Sequence, residues 1–180
     1  MIRLFDEVPH LENEYVELRK LEEKDAEALG EMTRSTRVYR YLPTFLFEKQ
    51  YEDPREVIRL LYGELFHTKQ SLILGIFDKS GGDFCGLAEY YGLKQDIQKT
   101  CLGYRLAEPF WGRGIATQTV RLMADYMYTK TDIEIITAST MIENKASARV
   151  LEKNGFIQTG SSVPEDWGYE QPTLADKWFR

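Results

Sequence analysis

The stretch L-G-Y-R-L-A-E-P-F-W-G-R-G-I-A-T, Leu102–Thr117, passes from strand to helix within one bend. Leu102, Tyr104 and Leu106 alternate with Gly103 and Arg105, the two-residue period of a sheet. Pro109 has no amide hydrogen to give a ladder and closes the strand. Gly112 and Gly114 follow, and an apolar pattern of helical period starts at Ala116 and continues through Val120, Met123 and Met127. The first turn of a helix leaves amide hydrogens without intrahelical acceptors and lies at the positive end of the dipole. The junction is therefore a candidate phosphate or pyrophosphate site at Trp111–Thr117. A junction of this kind also serves as a plain connector.

Two other phosphate motifs can be compared with it. A P-loop needs Lys and Ser or Thr after its last glycine, and here Ile115 and Ala116 follow Gly114. A dinucleotide fingerprint needs a third glycine where this chain has Thr117, and an acid about 20 residues on. Glu134 lies at the start of the next expected strand, whereas the ribose acid belongs at its carboxyl end, near Ser139–Thr140. Dinucleotide binding stays as a lesser alternative.

Length and composition narrow the rest. The chain has 180 residues, enough for one domain, 1–180, with a single substantial core. Apolar content of 43% and aromatic content of 13% fit a globular protein. A net charge of −6 argues against non-specific nucleic-acid binding and mildly favours a cationic partner. No apolar run approaches a membrane span, and Asp6 and Glu7 stand where a secretory signal would be apolar, so a cytoplasmic protein is expected. Cys85 and Cys101 read as buried free thiols. With isolated histidines at His10 and His67 and no CxxC or HExxH, no metal site is indicated.

In order, Tyr15–Leu21 alternates as a first strand, and a short helix is expected around Asp25–Thr33. A second helix is expected from Ser35 towards Leu42, stopped by Pro43. Thr44–Glu52 is aromatic and irregular. Asp53, Pro54 and Glu56 then start a helix whose apolar stripe is Val57, Ile58, Leu61, Leu65 and Phe66. Leu72–Phe77, Phe84–Tyr91 and Cys101–Leu106 read as an antiparallel meander joined by Asp78–Asp83 and by a loop at Gly92–Thr100. Ile133–Ser139 returns through a helix and should lie parallel to Cys101–Leu106. Asn144 caps a further helix closed by Gly155. Phe156–Gly160 and Thr173–Phe179 are the last strands, with a loop at Ser161–Pro172 between them. The fold class is α/β, α+β in its mixture: a twisted mixed sheet of about six or seven strands, antiparallel in front and βαβ behind, with helices on both faces.

Two segments, F-W-G-R-G-I-A-T at Phe110–Thr117 and E-N-K-A-S-A-R-V-L-E-K-N-G-F at Glu143–Phe156, together resemble the GNAT N-acetyltransferase superfamily. The sub-pattern is similar to its RimJ/RimL-like branch, which acetylates N-termini of ribosomal proteins. The resemblance covers nearly the whole chain and implies a GNAT-like sheet, acetyl-CoA as co-substrate and an amine acceptor, with no nucleic acid or membrane partner. It leaves monomer or homodimer open. The family pattern R/Q-x-x-G-x-G/A falls on Trp111, Gly114 and Ala116, and Trp111 departs from it. The resemblance implies that the amides of Gly112, Arg113, Gly114, Ile115, Ala116 and Thr117 hold the CoA pyrophosphate, with Arg113 adding a charged contact. It also implies that the pantetheine arm pairs with the strand edge at Tyr104, Arg105 and Leu106, that Asn144 contacts pantetheine, and that Ser147 sits near the thioester sulfur as proton donor. The family's usual Tyr donor falls on Leu151.

Acetyl transfer needs a neutral amine, so a proton must leave, often through water. Glu89, an acid amid the apolar strand G-L-A-E-Y-Y, is the candidate base, because burial in a pocket would raise its pKa. Tyr90, Tyr91 and Tyr104 are candidates to line the acceptor site. The overall expectation is an N-acetyltransferase moving acetyl directly to a primary amine in a ternary complex. The alternative is a non-catalytic acyl-CoA sensor on the same fold.

Overall fold

The computed structural model describes residues 1–180. One sheet of eight strands organises the chain, in the order β1-β2-β3-β4-β5-β6-β8-β7. The strands are β1 (Leu11–Glu12), β2 (Val16–Arg19), β3 (Ser71–Asp78), β4 (Phe84–Lys94), β5 (Lys99–Leu106), β6 (Ile135–Met141), β7 (Ile157–Glu165) and β8 (Thr173–Phe179). β1 to β5 pair antiparallel, and β5 and β6 pair parallel through the helix that joins them. With β8 antiparallel to both β6 and β7, the sheet is mixed and not doubly wound, which removes the structural setting that a dinucleotide fold requires.

Every residue of β3 is buried, because helices cover both of its faces. Leu72, Leu74 and Ile76 join Val120 and Met123 of α4 (Ile115–Lys130) and Leu151 of α5 (Lys145–Lys153). Ile73 and Phe77 point the other way, to Leu29 and Met32 of α1 (Ala26–Thr33) and to Val57 and Ile58 of α2 (Pro54–Leu61).

The structure departs from the sequence reading at several segments. Ser35–Leu42 forms successive turns, not a helix. Val38 is its one buried residue, so there is no apolar stripe to offset helix nucleation. The helix capped by Asp53, whose carboxylate accepts from the Arg55 amide at 2.9 Å, ends at Leu61. A break at Gly63 separates it from α3 (Glu64–His67), so that Leu65 and Phe66 serve opposite cores. The expected loop at Gly92–Thr100 shrinks to a 3₁₀ turn at Gln95–Ile97 and Gln98, because β4 runs on to Lys94 and β5 begins at Lys99. β7 likewise continues to Glu165, through register shifts around Gly160. It is an outer strand with no residue fully buried, so the apolar alternation that marks an inner strand is missing. No helix is long and apolar enough to cross a membrane.

Candidate functional site

β5 and β6 are in register only from Lys99 to Cys101, opposite Ile135 to Thr137. Beyond Cys101 they separate, and β5 runs on with one edge unpaired as far as Leu106. The Ala107 amide donates to the Cys85 carbonyl at 2.8 Å. Alternation back along the strand then turns the amide and carbonyl of Tyr104 towards the free edge. The Leu106 carbonyl on that edge accepts from Trp111 Nε1 at 2.8 Å. Trp111 thus latches the loop to the strand while its ring stays 42% exposed.

After a 3₁₀ turn at Glu108–Phe110 comes the bend that starts α4. Gly112 and Gly114 have φ of 70° and 77°, and a Cβ on either would meet open space, so conformation, not room, calls for glycine there. No amide from Gly112 to Thr117 donates to another backbone group. Gly112, Gly114, Ile115, Ala116 and Thr117 line a groove of about 560 Å³ together with Trp111, Tyr104, Arg105 and Leu106. The groove continues to Asn144 and Ser147 at the start of α5. Its concave wall of free amides at a helix start suits a diphosphate. Arg113 is placed differently from the sequence expectation. Its guanidinium donates to Asp78 at 2.7 Å and lies over Phe110 at 5.3 Å, so it ties the loop to the end of β3 and does not line the groove.

Besides Arg105, the groove is lined by cations that sequence reading missed: Arg37, Arg40, Arg149 and Lys153. Arg37 is shared with Glu108 at 2.8 Å. Arg149 and Lys153 are one helical turn apart and exposed, and that i, i+4 spacing after the Asn144 cap was the available signal. They place local positive charge on a chain whose net charge is −6. Substituting both with alanine should raise the Kd for CoA about tenfold at low ionic strength. Isothermal titration in low and high salt checks this: the deficit should shrink as salt screens the exposed pair.

Asn144 Oδ1 accepts from the Ser147 amide at 3.3 Å, the cap expected from sequence. The Ser147 hydroxyl lies 2.8 Å from the Tyr104 hydroxyl. Burial pushes the Tyr104 phenol up to about 12. At the far end of α5, buried Asn154 donates to the Thr117 and Val150 carbonyls at 3.2 and 2.9 Å, which locks the two helices that frame the groove.

A second chamber of about 670 Å³ adjoins the first, and Tyr104, Arg105, Asn144 and Ser147 line both. Its walls include Tyr91, Glu89, Ser71 and Cys101. Phe45, Leu42 and Trp167 come from two crossing loops, held by the Thr44 amide donating to the Trp167 carbonyl at 2.8 Å and the Tyr169 hydroxyl donating to the Leu42 carbonyl at 2.7 Å. Tyr90 is not in this wall, since its hydroxyl donates to the Met123 carbonyl inside the core. Cys85 and Cys101 are free thiols.

Glu89 does face the chamber, but not as a lone acid. Its oxygens accept from the Ser71 hydroxyl at 2.6 Å and from Arg105 Nη1 at 2.5 Å. Arg105 also donates through Nε and Nη2 to Glu48, at 2.6 and 2.5 Å, and the Tyr39 hydroxyl donates to Glu48 at 2.9 Å. Glu89 is buried against a pocket as the sequence suggests, and its pairing with Arg105 is the part that the sequence does not show. The Arg105 side chain serves this cluster, and by the same alternation its amide and carbonyl face β4, so the free edge is offered by Tyr104 and Leu106 alone. Two buried carboxyl groups share one guanidinium, so the formal charge of the cluster is −1.

The sequence model of the Acetyltransferase (GNAT) domain matches residues 16–157. A Bacillus subtilis (strain 168) protein named "Putative ribosomal N-acetyltransferase YdaF" is 28% identical over 156 residues, covering 83% of this chain and 82% of its own. RimL, a ribosomal L7/L12 alpha-N-protein acetyltransferase solved with coenzyme A, superposes with TM-score 0.78 at 19% identity, covering 96% of each chain. Spermidine N-acetyltransferase from Vibrio cholerae, solved with CoA and spermine, gives TM-score 0.75 at 20% identity, covering 93% of this chain and 96% of its own. The family match spans the parted strands, the free-amide bend and the Asn144 helix in one continuous run, and so the chain belongs to the GNAT superfamily, as an N-acetyltransferase with acetyl-CoA as co-substrate.

Proposed function

We propose that this enzyme moves acetyl directly from acetyl-CoA to a primary amine while both are bound. The observation that carries this reading is the junction of two chambers at Tyr104, Asn144 and Ser147. The diphosphate rests on the amides of Gly112 and Gly114 through Thr117, pantetheine runs along the free edge of β5, and the thioester reaches the junction. The Tyr104 amide faces the carbonyl oxygen that becomes an oxyanion. The acceptor enters the aromatic chamber, where the excess negative charge of the Glu48–Arg105–Glu89 cluster draws an ammonium group. Glu89 takes the amine's proton through water. A proton arriving there leaves the cluster neutral, with Arg105 still paired to Glu48. Ser147 donates a hydrogen bond to the departing thiolate.

The acceptor classes that the relatives' names bring to this chain are a protein N-terminus and a polyamine. A thiol-release assay with acetyl-CoA across N-terminal peptides, polyamines and aminoglycosides tests the reading, and initial rates should give intersecting, not parallel, double-reciprocal lines. Saturating CoA should also raise the melting temperature by mass action. CoA binding without thiol release on any amine would favour an acyl-CoA sensor, the reading that Leu151 in place of the family's Tyr supports. No thermal shift at millimolar CoA would remove both.

A further inference from the structure

We propose that Tyr104 is a positioning residue for the leaving group: its phenol donates to Ser147 Oγ and so turns the serine's own hydrogen towards the sulfur of the departing thiolate. This rests on the acetyl-transfer reading above. The helix position of the usual donor is filled by Leu151, whose side chain is buried in the core, so α5 offers no phenol to the junction. The phenol arrives instead from β5, 2.8 Å from Ser147 Oγ. Ser147 is held in the first turn of α5 by the Asn144 cap on its amide. Both side chains line the groove and the chamber, at the place where they meet.

Donor order follows from chemistry. A phenol is more acidic than an alkyl hydroxyl, so in a pair it is the better donor. A phenol keeps its proton throughout the neutral range, and burial pushes the ionisation of Tyr104 further up still. With Ser147 Oγ accepting from it, the serine hydrogen is free to point into the junction, and a donor that itself accepts a hydrogen bond is polarised and strengthened. In the step itself the amine lone pair forms the C–N bond, the tetrahedral adduct breaks the C–S bond, and the electron pair stays on sulfur. The amine's proton leaves through water to Glu89. The thiolate departs hydrogen-bonded to Ser147 and takes its proton from solvent.

Tyr104→Phe keeps the ring and removes the donor. It should lower kcat about tenfold, the size of one hydrogen bond made in the transition state, and leave KM for acetyl-CoA within about twofold. Ser147→Ala should remove the dependence, so that Tyr104→Phe/Ser147→Ala is no slower than Ser147→Ala alone. Ser147→Thr, which keeps the hydroxyl, should restore it. Damage confined to packing would instead multiply in the double variant and would not track the hydroxyl at residue 147. A wild-type enzyme with no thiol release on any amine overturns the acetyl-transfer reading. An active wild type with Tyr104→Phe unchanged, or with the two single losses multiplying, overturns this proposal alone. If Tyr104→Phe lowers the unfolding midpoint, kcat is measured well below it, and the comparison between Ser147→Ala and Ser147→Thr backgrounds still decides.

Discussion

Arg105→Gln should lower the unfolding midpoint by roughly 10 °C, a larger loss than either Glu48→Gln or Glu89→Gln produces. Arg105 is 4% exposed and is the sole guanidinium shared by Glu48 and Glu89, which are 1% and 8% exposed. Removing it strands Glu48 in the interior and Glu89 at the chamber wall, both without a cation. Breaking a buried pair from one side costs about 3–5 kcal/mol, because the remaining charge keeps its desolvation penalty and loses its partner. Glu48→Gln leaves the Arg105–Glu89 pair, and Glu89→Gln leaves the two-pronged Arg105–Glu48 pair, so either loss should be smaller. Arg105→Lys should fall between, since an ammonium keeps the charge but not the planar fork that meets Glu48 through two nitrogens. Thermal or urea unfolding of the four variants orders them. Equal midpoints for Arg105→Gln and wild type would mean that the cluster does not hold the acceptor wall together.

That cluster also marks where sequence reading stops. Glu89 stands out as an acid in an apolar strand, whereas Arg105 reads only as one residue of an alternating strand edge, and nothing in the sequence joins the two. The second partner of Arg105, Glu48, lies 57 positions away in a short 3₁₀ turn that no periodicity announces. Arg113 was misplaced for the same reason, because its partner Asp78 sits at the end of another strand. The bend at Trp111–Thr117 was legible because its geometry is local: two glycines, a helix start and a strand end, all within sixteen residues of chain. The Asn144 cap was legible on the same terms. The meander and the parallel return followed from apolar period and connection length. The placing of β8 between β6 and β7 did not, since an exposed outer strand leaves little pattern to read. Tyr104 was read as a wall of the acceptor site. Its meeting with Ser147 depends on how α5 docks against β5, a tertiary fact.

Gly114→Val should abolish the stabilisation that CoA confers, with Kd rising about 100-fold or more, while costing the free enzyme only about 1–2 kcal/mol. Two effects separate here. The backbone at Gly114 has φ of 77°, so any β-branched residue strains it or shifts the bend. A side chain at that point would also fill the open space in front of the amides that the proposed diphosphate needs, since nothing beyond its chain neighbours lies within 4 Å of a Cβ built there. Losing two charge-assisted hydrogen bonds, at about 1.5–3 kcal/mol each, gives the expected affinity change. Gly82→Val supplies the control. Gly82 has φ of 76°, its Cβ would likewise meet nothing within 4 Å, and it sits in the turn between β3 and β4 outside the groove. The two variants should lose similar stability without ligand. Only Gly114→Val should lose the CoA-dependent rise in melting temperature and the thiol release. If Gly82→Val lost CoA binding to the same degree, general strain would explain the defect, and the claim that free amides at this bend grip the cofactor would fail.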